Sequence, residues 1–140
     1  MKNLISLNKI KNDLTFCINY WTVIYGSYVN REYIPGRSDI DVAIITQIKD
    51  KQKNIDIWSS LLEEIPYNYD FKIFELLPLY IQIDIIQTYK VLFGDPLEIS
   101  EYFYQYQKIW KDMVERIKYN QFHGVQEKLD FIERRKKIIG

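Results

Sequence analysis

Two short apolar runs, each with a cluster of polar residues at one end, constrain the fold of this chain more than any other feature. The first run, Trp21–Tyr25, is rich in β-branched and aromatic residues and stops abruptly at Gly26-Ser27. The second run, Asp39–Ile45, opens with two acids and continues as an apolar segment. Such runs predict buried β-strands that leave the sheet at turns, and the turns are where chemistry is expected.

Asp39 and Asp41 stand two positions apart on the second predicted strand. Because successive side chains of a strand point to opposite faces, the two acids share one face, and Ile40, Val42 and Ile44 share the other. Two carboxylates this close repel each other unless a cation neutralises them, and Mg²⁺ favours such hard oxygen ligands. The pattern therefore predicts a divalent metal site on the acidic face.

A third carboxylate is needed if two Mg²⁺ ions are to be held beside a triphosphate, because each ion shares protein carboxylates with substrate oxygens and water. The run Tyr69–Leu76 alternates as a third strand and offers Asp70 and Glu75. Strand parity places Asp70 on the face opposite Phe71 and Ile73, which have core character. We predict that Asp70, and not Glu75, completes the site.

Gly26 and Ser27 form the turn at the end of the first strand. Glycine lets the backbone turn sharply and lets a ligand approach closely, and Ser27 offers a hydroxyl and an amide where a short helix is expected to begin. Both residues are predicted to bind phosphate oxygens, so positioning and charge neutralisation would supply most of the catalysis. Arg37 and Lys72 could also meet phosphate charge, but each fits a surface counter-charge equally well.

The segments Val23–Ser27 and Ser38–Ile44 resemble the strand, Gly-Ser turn and Asp-x-Asp strand of the minimal nucleotidyltransferases (MNT), a family of the DNA polymerase β superfamily. Asp70 and Pro78 resemble the third aspartate and the helix-opening proline of that family, and the likeness covers roughly residues 4 to 94. The chain departs from the family in two places. The loop before the acids is one residue longer than the commonest form, and Arg31 stands where glycine is frequent.

The resemblance implies an α/β fold of the α+β kind, a palm-like mixed β-sheet packed by helices, with C-terminal helices. It implies an enzyme that uses Mg²⁺, with two ions expected, to transfer a nucleoside monophosphate, AMP from ATP, to an acceptor. Asp39, Asp41 and Asp70 would be the catalytic metal ligands, and Gly26 and Ser27 the nucleotide-binding residues. Small members of the family accompany a helical HEPN-type protein, and some are antitoxins that attach AMP to a tyrosine of that toxin.

Two other functions compete with this interpretation. Transfer to a small hydroxylated molecule such as an aminoglycoside usually needs an additional substrate domain, for which 140 residues leave no room. A non-catalytic protein of the same fold could bind nucleotide or partner without turnover, although the retained acids argue against it. An isolated Asp-x-Asp also occurs in capped turns, at solvated strand ends and in glycosyltransferases, so only its context favours the nucleotidyltransferase.

Composition and charge narrow the class of partner. Hydrophobic residues make up 47% and charged residues 27% of the chain, as in a globular protein. Lys plus Arg and Asp plus Glu number 19 each, so there is no net field that would gather nucleic acid.

Cys17 is the single cysteine and is expected to pack in the core. No signal peptide or membrane span is evident, so we expect a cytoplasmic protein without a membrane partner, and oligomerisation stays open.

Periodicity assigns the remaining elements to one nucleotidyltransferase domain, residues 1–140, with a core of about residues 4–94 and C-terminal helices over about residues 95–138. A first helix is expected from Leu4 to Asn19, a short helix after Pro78 and an edge strand at Val91–Phe93. The second helix is predicted to bury Ile55, Trp58, Leu62 and Ile65. The long helix that begins at Asp95-Pro96 carries an apolar stripe that is predicted to lie mostly in the core: Tyr102, Tyr106, Ile109, Trp110, Met113 and Ile117. This aromatic-rich helix could also present a partner surface. A separate final helix is predicted to carry Val125, Leu129 and Ile132, with His123 at its start.

Overall fold

The structure, a computed structural model, describes residues 5–139, with side chains through residue 134. Its strands are β1 (Trp21–Tyr25), β2 (Ile40–Ile45), β3 (Tyr69–Ile73) and β4 (Lys90–Phe93). Its helices are α1 (Leu7–Asp13), α2 (Lys51–Leu62), α3 (Leu79–Thr88) and α4 (Pro96–Ile139). Short 3₁₀ turns occupy Thr15–Cys17, Gly26–Tyr28 and Phe74–Leu76.

The four strands form one mixed sheet in the order β3-β2-β1-β4. β1 pairs antiparallel with both β2 and β4, whereas β2 pairs parallel with β3. This sheet with its flanking helices confirms the predicted fold class, and β4 confirms the predicted edge strand. Among residues 5–139, β3 forms the opposite edge of the sheet.

The two faces of the sheet are packed differently. On one face the strand residues join α1 and α2 in a single apolar cluster, whose strand members include Ile24, Val42, Ile44, Phe71 and Ile73. On the other face the ring of Trp21 meets Tyr102 of α4 with centroids 5.9 Å apart, and Phe74 meets Phe103 at 4.9 Å. Tyr25 and Asp41, at the far end of that second face, are only partly buried. The second face is thus covered at one end and open at the other.

The first helix is shorter than predicted. α1 ends at Asp13, and Leu4 lies outside the described residues. The Thr15 hydroxyl donates to the carbonyl groups of Lys11 and Asn12, so acceptors of the last helical turn are taken by a side chain and a 3₁₀ turn follows. Cys17 is fully buried, which confirms its predicted place in the core.

The apolar stripe predicted for α2 was partly wrong. Trp58 and Leu62 are 37% and 42% exposed, whereas Asn54 and Leu61 are buried. The Asn54 amide donates to the Ile48 carbonyl at 2.8 Å, and this bond to the preceding loop fixes the rotation of the helix. Periodicity alone cannot reveal a buried polar anchor of this kind.

The two predicted C-terminal helices are one continuous helix, α4. Gly124 is the weakest helix former near the expected break, and glycine costs a helix only about 1 kcal/mol, while no proline intervenes. His123 therefore lies within α4, where a ring nitrogen is 3.0 Å from the Tyr119 carbonyl oxygen.

The chain forms two compact units, Met1–Tyr106 and Gln107–Gly140, with the boundary inside α4. In the first unit Tyr102 and Tyr106 are partly buried, as predicted, beside the fully packed Phe103. In the second unit the predicted core residues Ile109 and Ile117 are 55% and 48% exposed, so the prediction was wrong for them, whereas Trp110 is partly buried. No helix within residues 5–139 has both the length and the apolar character that crossing a membrane requires.

Candidate active site

Register brings two of the three predicted aspartates side by side. Asp41 on β2 is the direct partner of Tyr25 on β1 and of Asp70 on β3. Directly paired residues on neighbouring strands project from the same face of a sheet. The side chains of Tyr25, Asp41 and Asp70 therefore form a row, the acid row, across the open end of the sheet.

Asp39 lies one residue before the first residue of β2. β2 begins at Ile40, so Asp39 precedes the strand, where it is exposed. The described residues include no three His, Cys, Asp or Glu side chains close enough together to hold a metal ion by themselves. The structure thus joins Asp41 and Asp70 but does not close a cluster of three acids around them.

Negative charge at this site is only partly compensated. Burial, and then the charge of Asp70, raise the pKa of the Asp41 carboxyl; Asp39 adds to that rise, and Lys72 opposes it. Lys72 Nζ lies 3.7 Å from Asp70 Oδ2, and both side chains are 43% exposed, which makes this a weak ion pair. A cation of higher charge density would relieve the remaining repulsion, so the oxygen donors present here fit a hard divalent metal.

Gly26 lies directly against the acid row. Its φ is +74°, in the left-handed region that favours glycine, and a Cβ at this position would lie 2.4 Å from Asp41 Oδ2. The turn is closed by the Val29 and Asn30 amides, which donate to the Gly26 carbonyl at 3.1 and 3.0 Å. Glycine is therefore required both for the turn and for the approach of the Asp41 carboxylate, with Ser27 as the next residue of the turn.

Glu75 is not part of this row. It accepts hydrogen bonds from the Thr46 amide at 3.1 Å, the Gln47 amide at 2.9 Å and the Tyr102 hydroxyl at 2.6 Å. These contacts connect the loop after β2 to the first turns of α4. Glu75 is a structural acid whose charge already has donors.

The third strand is shorter than predicted. β3 ends at Ile73, and the expected alternation through Leu76 is replaced by a 3₁₀ turn in which Phe74 is fully buried. Up to that point parity holds, because Phe71 and Ile73 are 4% and 2% exposed and pack in the core. Asp70 accordingly faces the side opposite to them.

Residues 5–96 match the model of the polymerase β nucleotidyltransferase family. The chain belongs to this family. This match confirms the predicted family and the predicted enzyme class. The protein is a nucleotidyltransferase.

Related proteins extend this assignment. A candidate protein adenylyltransferase of Methanocaldococcus jannaschii is 44% identical over 122 residues, which cover 84% of this nucleotidyltransferase and 94% of that protein. In structure, the nucleotidyltransferase is similar to a chain of a toxin-antitoxin complex crystallised with AMP-PNP, with TM-score 0.58, 18% identity and coverage of 78% and 90% of the two chains. It is also similar to a chain of the complex between a tri-AMPylated Shewanella oneidensis HEPN toxin and MNT antitoxin, with TM-score 0.51, 15% identity and coverage of 76% and 85%. At such low identities the structural likeness supports the fold alone.

Sequence reasoning left out one side chain that the nucleotidyltransferase places in the acid row, Tyr25. Burial, and then the charges of Asp41 and Asp70, raise the pKa of the Tyr25 phenol. Lys72 shares a face with Asp70 because it stands two positions later on β3. Strand parity already predicts that Lys72 shares a face with Asp70, whereas Tyr25 required the register between β1 and β2.

Arg31, the departure from the MNT pattern, adopts φ +63°. Glycine reaches this left-handed conformation without steric cost, and other residues reach it with strain. The nucleotidyltransferase thus keeps at Arg31 the backbone shape that glycine favours, although it has a different side chain there.

Proposed function

We propose that this nucleotidyltransferase is metal-dependent and transfers AMP from ATP to a protein, a HEPN-type toxin, for which it serves as the antitoxin. The observation that carries the proposal is the convergence of Asp41 and Asp70 against Gly26. Such an arrangement brings acids whose charge is only partly compensated to a turn that a phosphate chain can approach closely. The protein-adenylyltransferase name of the Methanocaldococcus jannaschii relative supports AMP as the group transferred.

The proposed metal ligands are Asp39, Asp41 and Asp70, with two Mg²⁺ ions. Mg²⁺ commonly binds through one or two carboxylates together with substrate phosphates and water, so these acids need not form a closed cage. Bound Mg²⁺ would neutralise charge on the phosphate oxygens of the substrate. Asp39, in its exposed position before β2, has room to turn toward a bound triphosphate.

Gly26 and Ser27 are proposed to hold the triphosphate. The left-handed turn at Gly26 has no side chain between the backbone and the Asp41 carboxylate, so phosphate oxygens can lie close to both. The acceptor hydroxyl displaces pyrophosphate from the α-phosphorus, and a site of this kind works mainly by holding the reacting atoms in line. No protein nucleophile is needed.

The proposed partner is a helical protein of the HEPN type. Two solved complexes support this proposal, because both are toxin-antitoxin complexes, one with AMP-PNP and one with a tri-AMPylated HEPN toxin. The fold similarity to chains of these complexes makes a toxin the first acceptor to test. We expect AMP to be attached to a side-chain hydroxyl of that toxin.

The test is a transfer assay with the purified full-length chain, Mg²⁺ and each α-labelled nucleoside triphosphate in turn, with and without a co-purified helical partner. We expect label from ATP to move to the partner, to require Mg²⁺ and to disappear with EDTA or with Asp41→Asn. Tight nucleotide binding without any transfer to protein would instead identify a non-catalytic binder. Transfer from another nucleotide would refute the assignment of AMP.

A further inference from the structure

Lys72 places a positive charge beside the acid row. It stands two positions after Asp70 on β3, so both side chains project from the same face of the sheet. Its direct partner on β2 is Ala43, which makes Asp41 its diagonal neighbour, within reach of a long side chain. Because Ala43 ends in a single methyl group, no long side chain of β2 lies between Lys72 and Asp41. The charge of Lys72 opposes the rise in the pKa of Asp41 that burial and Asp70 cause.

The contact between Lys72 and Asp70 is electrostatic only. Lys72 Nζ lies 3.7 Å from Asp70 Oδ2, which is longer than a hydrogen bond. None of the three N–H groups of this ammonium donates a hydrogen bond to a described atom of the protein. The ion pair on α1 is different, because Lys9 Nζ lies 3.3 Å from both carboxylate oxygens of Asp13. Lys72 is therefore loosely held, and its donors are available to a ligand.

The Lys72 ammonium has room to move. Lys72 and Asp70 both line an open cavity of about 460 Å³ beside β3, and both side chains are partly exposed. A lysine carries its charge on a flexible four-carbon stem. The ammonium can thus leave Asp70 by rotation of its own side chain, with the backbone of β3 unchanged.

We propose that Lys72 exchanges partners during the reaction cycle: it neutralises Asp70 in the free enzyme, and it binds the phosphate groups of the nucleotide once Asp70 holds a metal ion. The inference rests on the proposed function, because it concerns the same metal and nucleotide site. It makes Lys72 a further substrate-binding residue, in addition to Gly26 and Ser27.

Charge and distance explain the exchange. One ammonium leaves the paired carboxylates of Asp41 and Asp70 with a net negative charge, whereas a divalent ion carries twice the charge and contacts carboxylate oxygens directly. The ammonium and a metal ion on Asp70 would repel each other, so Asp70 no longer retains Lys72. Phosphate oxygens then offer the nearest uncompensated negative charge, and lysine binds phosphate as a point charge.

Two simpler roles of Lys72 predict other results. A surface counter-charge would affect metal and nucleotide little, and a brace that orients Asp70 would be needed for tight binding of both. The exchange predicts effects of opposite sign. Removal of the Lys72 charge should strengthen metal binding, because a competitor for Asp70 is lost, and should weaken nucleotide binding, because a phosphate ligand is lost.

The first experiment measures the metal alone. Mn²⁺ is titrated into the full-length chain without nucleotide, and free Mn²⁺ is followed by electron paramagnetic resonance. We expect Lys72→Met to bind Mn²⁺ about threefold or more tightly than wild type, an effect of the size expected for loss of a partly exposed ion pair. Lys72→Met affinity equal to or weaker than that of wild type overturns the exchange.

Lys90→Met is the matched control for the loss of one positive charge. Lys90 is exposed on β4, the opposite edge strand, and its direct partner is Ile24, which faces the apolar cluster. It therefore lies away from the acid row, and its removal should leave Mn²⁺ affinity at the wild-type value. Equal tightening in Lys72→Met and Lys90→Met would show an effect of net charge and would overturn the exchange.

The second experiment measures the nucleotide. Calorimetry at saturating Mg²⁺ gives Kd for α,β-methylene-ATP, an analogue whose link between the α- and β-phosphorus is not cleaved. We expect Lys72→Met to raise this Kd by about tenfold, because a hydrogen bond to a charged phosphate oxygen is lost. Lys72→Arg restores the charge and should recover part of the affinity. An unchanged Kd in Lys72→Met, or no recovery in Lys72→Arg, overturns the exchange.

The same titrations separate this inference from the proposed function. Wild-type protein that binds Mn²⁺ only together with the analogue keeps the metal-dependent function and overturns the exchange, because no metal then reaches Asp70 before the nucleotide. Wild-type protein that binds Mn²⁺ under neither condition refutes both.

Discussion

The two acids of the β3 segment, Asp70 on the strand and Glu75 in the turn after it, occupy opposite electrostatic situations. Glu75 accepts from two backbone amides and a tyrosine hydroxyl. Asp70 faces the carboxylate of Asp41 and has a weak ion pair with Lys72. The contrast shows that an acid whose oxygens accept hydrogen bonds from the protein stabilises the fold. An acid that lies beside another acid is available to bind a ligand.

The largest expected effect is on the rate of transfer. Asp39→Asn, Asp41→Asn and Asp70→Asn should each lower the rate by about 10²-fold or more, because each removes a proposed metal ligand. Glu75→Gln should lower it far less, since Glu75 lies outside the acid row. The measurement is single-turnover AMP transfer at saturating Mg²⁺ and ATP, with circular dichroism to confirm the fold.

The Asp70 and Glu75 variants form the decisive pair. An inactive Glu75→Gln beside an active Asp70→Asn would reverse the comparison and mean that the wrong acid had been assigned to the metal. Near-normal turnover of Asp41→Asn with Mg²⁺ would reject the metal site altogether.

A smaller effect is expected at the turn that faces Asp41. Gly26→Val should weaken ATP binding by about tenfold or more, because the new side chain strains the turn and occupies the space of the Asp41 carboxylate. Gly36 provides the matched control, since its φ is also positive, at +83°, but no described atom lies within 4 Å of a Cβ built there. Gly36→Val shares the backbone strain without the clash, so equal ATP affinities in the two variants would contradict the phosphate-binding role of Gly26.

The two variants should rank in the opposite order when stability, rather than activity, is measured. Glu75→Gln places an amide NH₂ among groups that donate, so we expect it to lower the free energy of unfolding by about 1–3 kcal/mol. Asp70→Asn should change it little. Urea denaturation in the presence of EDTA measures the free energy of unfolding of both variants. A Glu75→Gln protein as stable as wild type would show that the hydrogen bonds of Glu75 contribute little to stability.

The smallest expected effect is an increase in thermal stability. In metal-free buffer at neutral pH, Asp41→Asn should raise Tm by a few degrees, because burial and Asp70 disfavour the charged carboxylate. The folded-state pKa of Asp41 is raised, so the wild-type protein loses stability as pH rises through that pKa, and the asparagine variant does not. The difference should therefore shrink as pH falls below the carboxyl range. A variant that melts below wild type at neutral pH would show that Asp41 stabilises the fold.

Local composition was enough to predict β1, the Gly26 turn and most of β2, because a β-rich run that meets glycine or paired acids rarely forms anything but a strand that ends in a turn. Strand parity on β3 was enough to place Asp70 on the face opposite the core. What sequence could not supply was information set by distant partners. The rotation of α2 depends on the bond from Asn54 to Ile48, and with that rotation Trp58 is 37% exposed.

The sequence pattern also did not predict the residue at which β2 begins. Ile40 is the first residue that pairs with β3, and its amide bonds to the Asn68 carbonyl at 2.9 Å. Asp39 therefore stands outside the strand, although its spacing from Asp41 fits a shared strand face. α4 shows the converse case, because a local dip in helix propensity at Gly124 does not end the helix.

Cys17 can report how often the fold opens around it. It is the single cysteine of the chain and is fully buried, with its thiol 2.9 Å from the Leu14 carbonyl oxygen. Burial raises the pKa of the thiol to about 11, so the folded molecule presents almost no thiolate to a reagent. The rate at which an aromatic disulfide labels Cys17 then measures how often the segment after α1 opens, with no substrate, metal or partner in the tube.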